Sequence, residues 1–222
     1  MRFTRLSATM TARMNPQPEA AATFQALIRT RRSIRRYQPE AIAPEVLRRI
    51  VEAGTWAPSA HNRQPWRFVV LTEATQREAL ATTMGNLLRA SRTADGDDST
   101  DIDGDVARSY ARITSAAAAI VAFLTLEDMD VYPDPKRARA EELMAVQGVA
   151  MAVQNILVAA HAEGLGACWM CAPLFCQEEV GSALGVPSHW QAQALLTLGV
   201  PASKGKPPVR RPVDEVLFKA PL

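Results

Sequence analysis

The chain has few cysteines, no signal-length apolar run at its start and no excess of either charge, and each shortage excludes a class of protein. Three cysteines in 222 residues, crowded at Cys168, Cys171 and Cys176, do not make a disulfide framework. The first twenty residues carry Arg2, Arg5 and Arg13 but no apolar stretch of signal-peptide length, so a secretory signal is unsupported. Met1 to Glu19 reads as a loose arm or a misplaced start codon. These features predict a cytoplasmic protein with reduced thiols. The 25 Lys and Arg against 23 Asp and Glu leave a formal net charge of +2. The basic residues cluster and do not line a face, so no nucleic-acid footprint is present. Gly164-Leu165-Gly166 has no third glycine and follows a helix where the dinucleotide fingerprint needs a strand, which rejects a Rossmann site. Walker, metalloprotease-helix and nucleophile-elbow motifs are also missing.

What is present reads as one domain, residues 20–222, of mixed helix and strand. The spacing predicts helices over Glu19–Arg31, Pro44–Glu52, Glu73–Arg89, Lys136–Glu163 and Gln177–Leu184. Pro44 suits a first helical turn, and Gly54 suits the position just past the end of its helix. Strands are predicted over Trp66–Leu71, Ala116–Leu126, Ala167–Met170 and Trp190–Val200. The prolines of the tail from Pro201 to Pro221 continue neither element. The second half of the 136–163 helix is apolar nearly all round and must be enclosed. A membrane would set Gln147, Gln154 and Asn155 at hydrocarbon depth, and the wholly apolar length falls short of a span. A core helix that also packs on a second subunit accounts for it better, with Gly148, Ala150 and Ala152 allowing close approach.

Between Ser91 and Val106 the acidic sequence offers little to bury and predicts a mobile loop, with a substrate lid as its functional alternative. A calcium loop fails on register. Cys168-x-x-Cys171 reads as thiols beside Trp169, because a zinc site lacks an obvious fourth ligand and a redox pair wants a helix N-terminus. No metal site is expected.

Two stretches carry chemistry. Arg31-Arg32-Ser33-Ile34-Arg35-Arg36-Tyr37 puts four guanidinium groups in six residues, the side chain that grips phosphate with a rigid fork. A phosphate monoester is the obvious partner, and a solvated basic helix end is the plainer alternative. Pro58 to Trp66, a polar turn between a helix and a strand, would form the rim of a planar ligand.

These two boxes, with their order and spacing, resemble the FMN-dependent nitroreductase superfamily, whose members carry an Arg-x-Ser-x-Arg-x-aromatic box followed by Pro-Ser-x-x-Asn-x-Gln-Pro-Trp. Gly164 to Trp169 and Arg210-Arg211-Pro212 resemble later landmarks, so the likeness covers about residues 24 to 217. The resemblance implies an α+β fold with a central, mostly antiparallel sheet flanked by helices and a long core helix in a homodimer interface. It implies FMN as cofactor, with Arg31, Arg32, Ser33, Arg211 and also Arg210 at its phosphate and ribityl chain. Arg35 would sit near the pyrimidine edge as the catalytic charge. Pro58, Ser59, Ala60 and Asn62 would come from the other subunit, Gln64 would also bind the cofactor, and His61 would touch substrate. A backbone N–H toward the flavin N-5 would come from the segment Cys171 to Phe175. Pro173 has none, which leaves Ala172 or Leu174.

The implied activity is transfer of hydride from NAD(P)H through FMN to a nitroaromatic, a quinone or a dehydro-deazaflavin. That last acceptor follows from a closer likeness to the flavin-binding C-terminal domain of the deazaflavin-coenzyme glutamate ligase. A flavin-consuming enzyme of the dimethylbenzimidazole-synthase type and a non-catalytic flavin- or deazaflavin-binding module remain as alternatives.

Overall fold

The computed structural model describes residues 17–218. The expected arm, Met1 to Glu19, lies outside them except for its last residues, as does the chain beyond residue 218. The chain divides into two units, Met1–Thr30 and Arg31–Leu222. The described part of the first is helix α1 (Pro18–Thr30), with Glu19 in its first turn and Arg29 in its last, the order a helix dipole favours.

In the second unit four strands form one sheet: β1 (Trp66–Leu71), β2 (Ala118–Leu124), β3 (Gly166–Met170) and β4 (Gln191–Gly199). Their order is β1-β2-β4-β3, and every neighbouring pair is antiparallel. Central β2 and β4 are near-continuous apolar runs because both of their faces are covered. Ile120, Ala122 and Leu124 join Leu196 and Leu198 in one core, while Ala119, Val121 and Phe123 join Leu195 in the other. Gln193 has no partner on β2, and the register shifts there. That bulge sends Ala192 and Ala194 to opposite faces.

Helices α2 (Pro44–Thr55) and α5 (Pro135–Ala162) cover the first face; α3 (Ala74–Ala94), α4 (Ser99–Thr114) and α6 (Gln177–Leu184) serve the second. Gly54 corrects an expectation: it lies inside α2, not beyond its end. A Cβ there would stand 2.7 Å from Ile156 Cγ1 and 3.3 Å from the Ala152 carbonyl, so glycine is what lets α2 and α5 approach. Asn155 Nδ2 donates to the Ala53 carbonyl at 3.2 Å, and Arg49 grips Glu163 with two bonds of 2.8 and 2.9 Å. Helix α5 is long and apolar enough to cross a membrane by composition. Here Ala152, Val153, Ile156 and Ala160 are fully buried in the core, which is what the helix is apolar for.

The mobile loop expected from Ser91 to Val106 is a second correction, since the segment is an ordered helical hairpin. Helix α3 runs on to Ala94, and Asp98 caps α4 by accepting from Thr100 N at 2.8 Å and Asp101 N at 3.3 Å. The carboxylates that looked unpaired in sequence meet arginines: Arg89 with Asp103, Arg92 with Asp97 and Asp105, and Arg108 with Asp105. Ile102 and Ile113 are buried, which supplies the apolar anchor that the acidic stretch seemed to lack.

Candidate functional site

The arginine box is held as an added edge beside β3. Ser33 bridges Ala167 in the parallel sense, and Ile34 N donates to the Ala167 carbonyl at 3.0 Å. Further on, Gln38 N donates to the Val200 carbonyl at 2.8 Å and Ala202 N to the Arg36 carbonyl at 3.0 Å. Two apolar side chains pin this path on two glycines. Ile34 lies on Gly166, where a Cβ would come within 2.7 Å, and the Tyr37 ring lies on Gly199, where a Cβ would come within 2.8 Å. The Tyr37 hydroxyl is within reach of the Ile34 carbonyl at 2.7 Å and of Thr197 Oγ1 at 2.8 Å. Burial pushes that phenol above its usual range and keeps it neutral.

With Ile34 inward, the arginines face a cavity of about 430 Å³. Arg31, Arg32, Ser33, Arg35 and Arg36 line one side, and the tail after β4 lines the other with Ser203, Gly205, Lys206, Pro208 and Arg210. Gly205 adopts φ +69°, and a Cβ on it would lie 3.0 Å from both Arg32 Cβ and Ile34 Cδ1, so the tail passes close over the box only as glycine. Six of the lining residues are cationic, and none is acidic. The Arg31 guanidinium is held below its ordinary range by burial, then by Arg210 and Arg32, with Cys168 opposing. Burial and the same Arg31 and Arg32 also lower His161. Such crowding of like charge is the electrostatic complement of an anion.

Of the expected phosphate residues, Arg31, Arg32, Ser33 and Arg210 meet in this cavity, as does Arg35, while Arg211 is not among its lining residues. Sequence reasoning missed Ser203, Gly205, Lys206 and Pro208. The run Lys204-Gly205-Lys206 sets a glycine between two cations in the proline-rich tail, but nothing local in it says where that tail folds back.

The rim turn stands elsewhere. Pro58, Ser59, Ala60, His61, Asn62 and Gln64 do not line the arginine cavity. They fold between buried Ala57 and buried Pro65 and Trp66 as a 3-10 turn, Ala60–Asn62, with positive φ at His61 (48°), Asn62 (54°) and Gln64 (51°). Asparagine and histidine are among the non-glycine residues that visit that region more readily, but Gln64 there costs on the order of 1–3 kcal/mol and persists only where the surroundings impose it. Ser59 Oγ accepts from Gln64 N at 3.0 Å, and Arg63 bonds Asp130 at 2.6 Å.

After β3, Ala172–Phe175 forms another 3-10 turn. The Leu174 N–H already donates to the Cys171 carbonyl at 3.0 Å, so of the two expected donors Ala172 is the one outside the turn's own bonding. All three cysteines are free, Cys168 and Cys176 buried and Cys171 exposed. Burial, then Glu179, pushes the Cys176 thiol up to about 11.

An anion cradle on the edge of an antiparallel sheet with helices on both faces defines a cofactor-binding α+β protein. The family model described as "Nitroreductase family" matches residues 28–200, and the chain belongs to that family of FMN-dependent oxidoreductases. A Thermus thermophilus protein named NADH dehydrogenase is 30% identical over 212 residues, which cover 85% of this chain and 91% of that one. A candidate nitroreductase of Desulfovibrio desulfuricans, solved in complex with FMN, is 32% identical with TM-score 0.69, covering 94% of this chain and 99% of its own. A BluB-like flavoprotein of Clostridium difficile, at 22% identity and TM-score 0.74, covers 89% of this chain and 98% of its own and shares the fold. The cradle fits the phosphate end of FMN: paired guanidinium groups without a lining carboxylate, a serine hydroxyl and a glycine-backed floor.

Proposed function

We propose that the chain is an FMN-dependent NAD(P)H oxidoreductase, passing hydride from the nicotinamide to an oxidised small molecule, and that it works as a homodimer. The observation that carries this is the cationic cavity of Arg31, Arg32, Ser33 and Arg210 in a chain of the nitroreductase family. Bound FMN supplies the capacity to accept and give up hydride. Arg31, Arg32, Ser33 and Arg210 hold its phosphate, with Arg211 one residue beyond the lining. Arg35, exposed at the same cavity, offers fixed positive charge toward the ring. Ala172 presents the backbone N–H on the other side, and His61 in the strained turn faces the reactant.

Two observations support the dimer. The rim residues and the arginine cavity are separate in one chain, so a second copy would bring Pro58 to Gln64 to the site. Helix α5 also leaves exposed a stripe of Leu143, Gln147, Met151 and Gln154, with no charged residue between Leu143 and Ala160. The free cysteines support a reducing, cytoplasmic setting. Acceptors of the quinone, nitroaromatic or dehydro-deazaflavin class all suit hydride delivery.

The test is the absorption spectrum of the purified protein followed by anaerobic reduction with NADH and with NADPH. A flavin spectrum, bleaching with one equivalent of donor per FMN and recovery of intact FMN in air are the expected results. Fragmented flavin would move the reading to a flavin-consuming enzyme. Bound flavin that neither donor reduces would leave a binding module.

A further inference from the structure

The arginine cavity carries more charge than one phosphate can use. Arg31, Arg35, Arg36, Lys206 and Arg210 line it, and none of these five has an ion-pair partner among the described residues. Many arginines elsewhere are paired with a carboxylate: Arg49 with Glu163, Arg63 with Asp130, Arg89 with Asp103, Arg92 with Asp97, Arg139 with Glu142. Five uncompensated cations in one cavity exceed the net charge of the whole chain, +2. A phosphate monoester brings about −1.5 to −2 at neutral pH, so roughly three positive charges are left over, and with Arg35 set toward the flavin ring two of them, Arg36 and Lys206, are uncommitted. Arg31 is half-buried, whereas Arg35, Arg36, Lys206 and Arg210 are exposed around a cavity of about 430 Å³, the size of a small-ligand pocket.

We propose that this surplus receives a second anion, the phosphate or carboxylate-type group of the diffusing reactant that exchanges hydride at the site. The proposal rests on the flavin reading above and adds a substrate class: the enzyme selects the more anionic of two reactants with the same reacting ring. Arg31 and Arg210, crowded together, belong to the resident phosphate, and Arg36 and Lys206 belong to the visitor. Two sources share this chemistry, the 2′-phosphate of a phosphorylated nicotinamide and an acidic substituent on the acceptor. A cleft lined by one sign of charge raises encounter rates in a salt-dependent manner, so the selection should appear in kcat/KM.

The experiment measures kcat/KM at low and high salt for two matched pairs: NADPH against NADH, and a sulfonated naphthoquinone against its unsubstituted parent. The same measurements are made on Arg36→Gln/Lys206→Gln. At low salt the wild type should favour the more anionic member of at least one pair by about tenfold. That preference should shrink in high salt and in the double variant, whose FMN content and thermal melt stay those of the wild type. The pair that shows it identifies the donor or the acceptor as the source. Equal, salt-independent values for both pairs overturn the proposal. Loss of FMN from the double variant also overturns it, because Arg36 and Lys206 would then serve the resident phosphate. A wild type that takes up no FMN overturns the flavin reading and this one together, an outcome distinct from either.

Discussion

Arg31 is the side chain on which cofactor retention and apo-protein strain meet. Its guanidinium is half-buried near Arg210 and Arg32, which disfavours its charge in the empty cradle, and in the proposed site a bound phosphate would offset this with charge-assisted bonds. Arg31→Gln should weaken FMN binding about 10- to 100-fold, from the roughly 1.5–3 kcal/mol a bond to a charged group is worth. The melting temperature of the apo-protein should not fall. Fluorescence titration and an apo melt check both, and unchanged affinity would remove Arg31 from the phosphate. Cys176 gives a pH-dependent case. Its folded thiol is raised to about 11, above the ordinary value near 9, so in that interval the unfolded chain holds fewer protons than the folded one. This contribution to stability is complete below about pH 9 and fades as pH climbs to about 11. Cys176→Ser should flatten the alkaline limb of a Tm-against-pH curve; a limb unchanged in steepness would assign it to other groups. The box itself was legible in sequence because four arginines in six residues are chemically conspicuous. Gly205 and Lys206 were not, since what matters about them is where a proline-rich tail folds back, and no local pattern states that.

At the scale of elements, the site depends on how closely the box lies on β3. Gly166→Ala would put a methyl group within 2.7 to 2.9 Å of three Ile34 side-chain atoms, a β-branched residue with little room to turn. Overpacking of this kind costs about 1–3 kcal/mol. FMN affinity and Tm should fall together in that variant, and a secondary Ile34→Val should recover neither, because valine keeps all three of the crowded atoms. If Gly166→Ala lowers neither, the close approach is not what holds the box. The α3–α4 hairpin makes the complementary point. Its acidic turn looked disordered because composition shows charges but not their partners, and those partners, Arg89 and Arg92, sit a full turn or more upstream on α3. Arg92→Ala removes the contacts to both Asp97 and Asp105. Exposed pairs contribute little each, so the global melt should barely move. Amide exchange over residues 95–105 should accelerate markedly, and a protection pattern like that of the wild type would mean Ile102 and the Asp98 cap hold the turn alone. Strand and helix existence was readable from apolar periodicity. The ends were not, as Gly54 shows: in sequence it reads as a stop, and only the neighbouring helix reveals it as a contact.

For the molecule as a whole, α5 carries both the core and the proposed union of two copies. Its buried side holds Ala145, Val149, Ala152, Val153 and Ile156, and its other side leaves Leu143, Gln147, Met151 and Gln154 exposed at spacings of four, four and three residues, a continuous helical stripe. An uncharged stripe of that length on a protein otherwise rich in paired surface charge is what a partner would cover. Met151 is the residue to test, because it is apolar, central to the stripe and absent from the buried core. Met151→Glu would put a carboxylate on the proposed interface of each copy and should split a dimer of 24.2 kDa protomers. Light scattering should then report a single protomer with an undisturbed far-UV spectrum. FMN should leave with the partner, since in the proposed shared site each cavity takes a rim turn from the other copy. Met151→Leu should keep both dimer and flavin. If the glutamate variant becomes monomeric yet stays yellow, the rim turn of Pro58 to Gln64 acts within its own chain and the shared site is wrong; if it remains a dimer, the interface lies on another face and the stripe needs a different occupant.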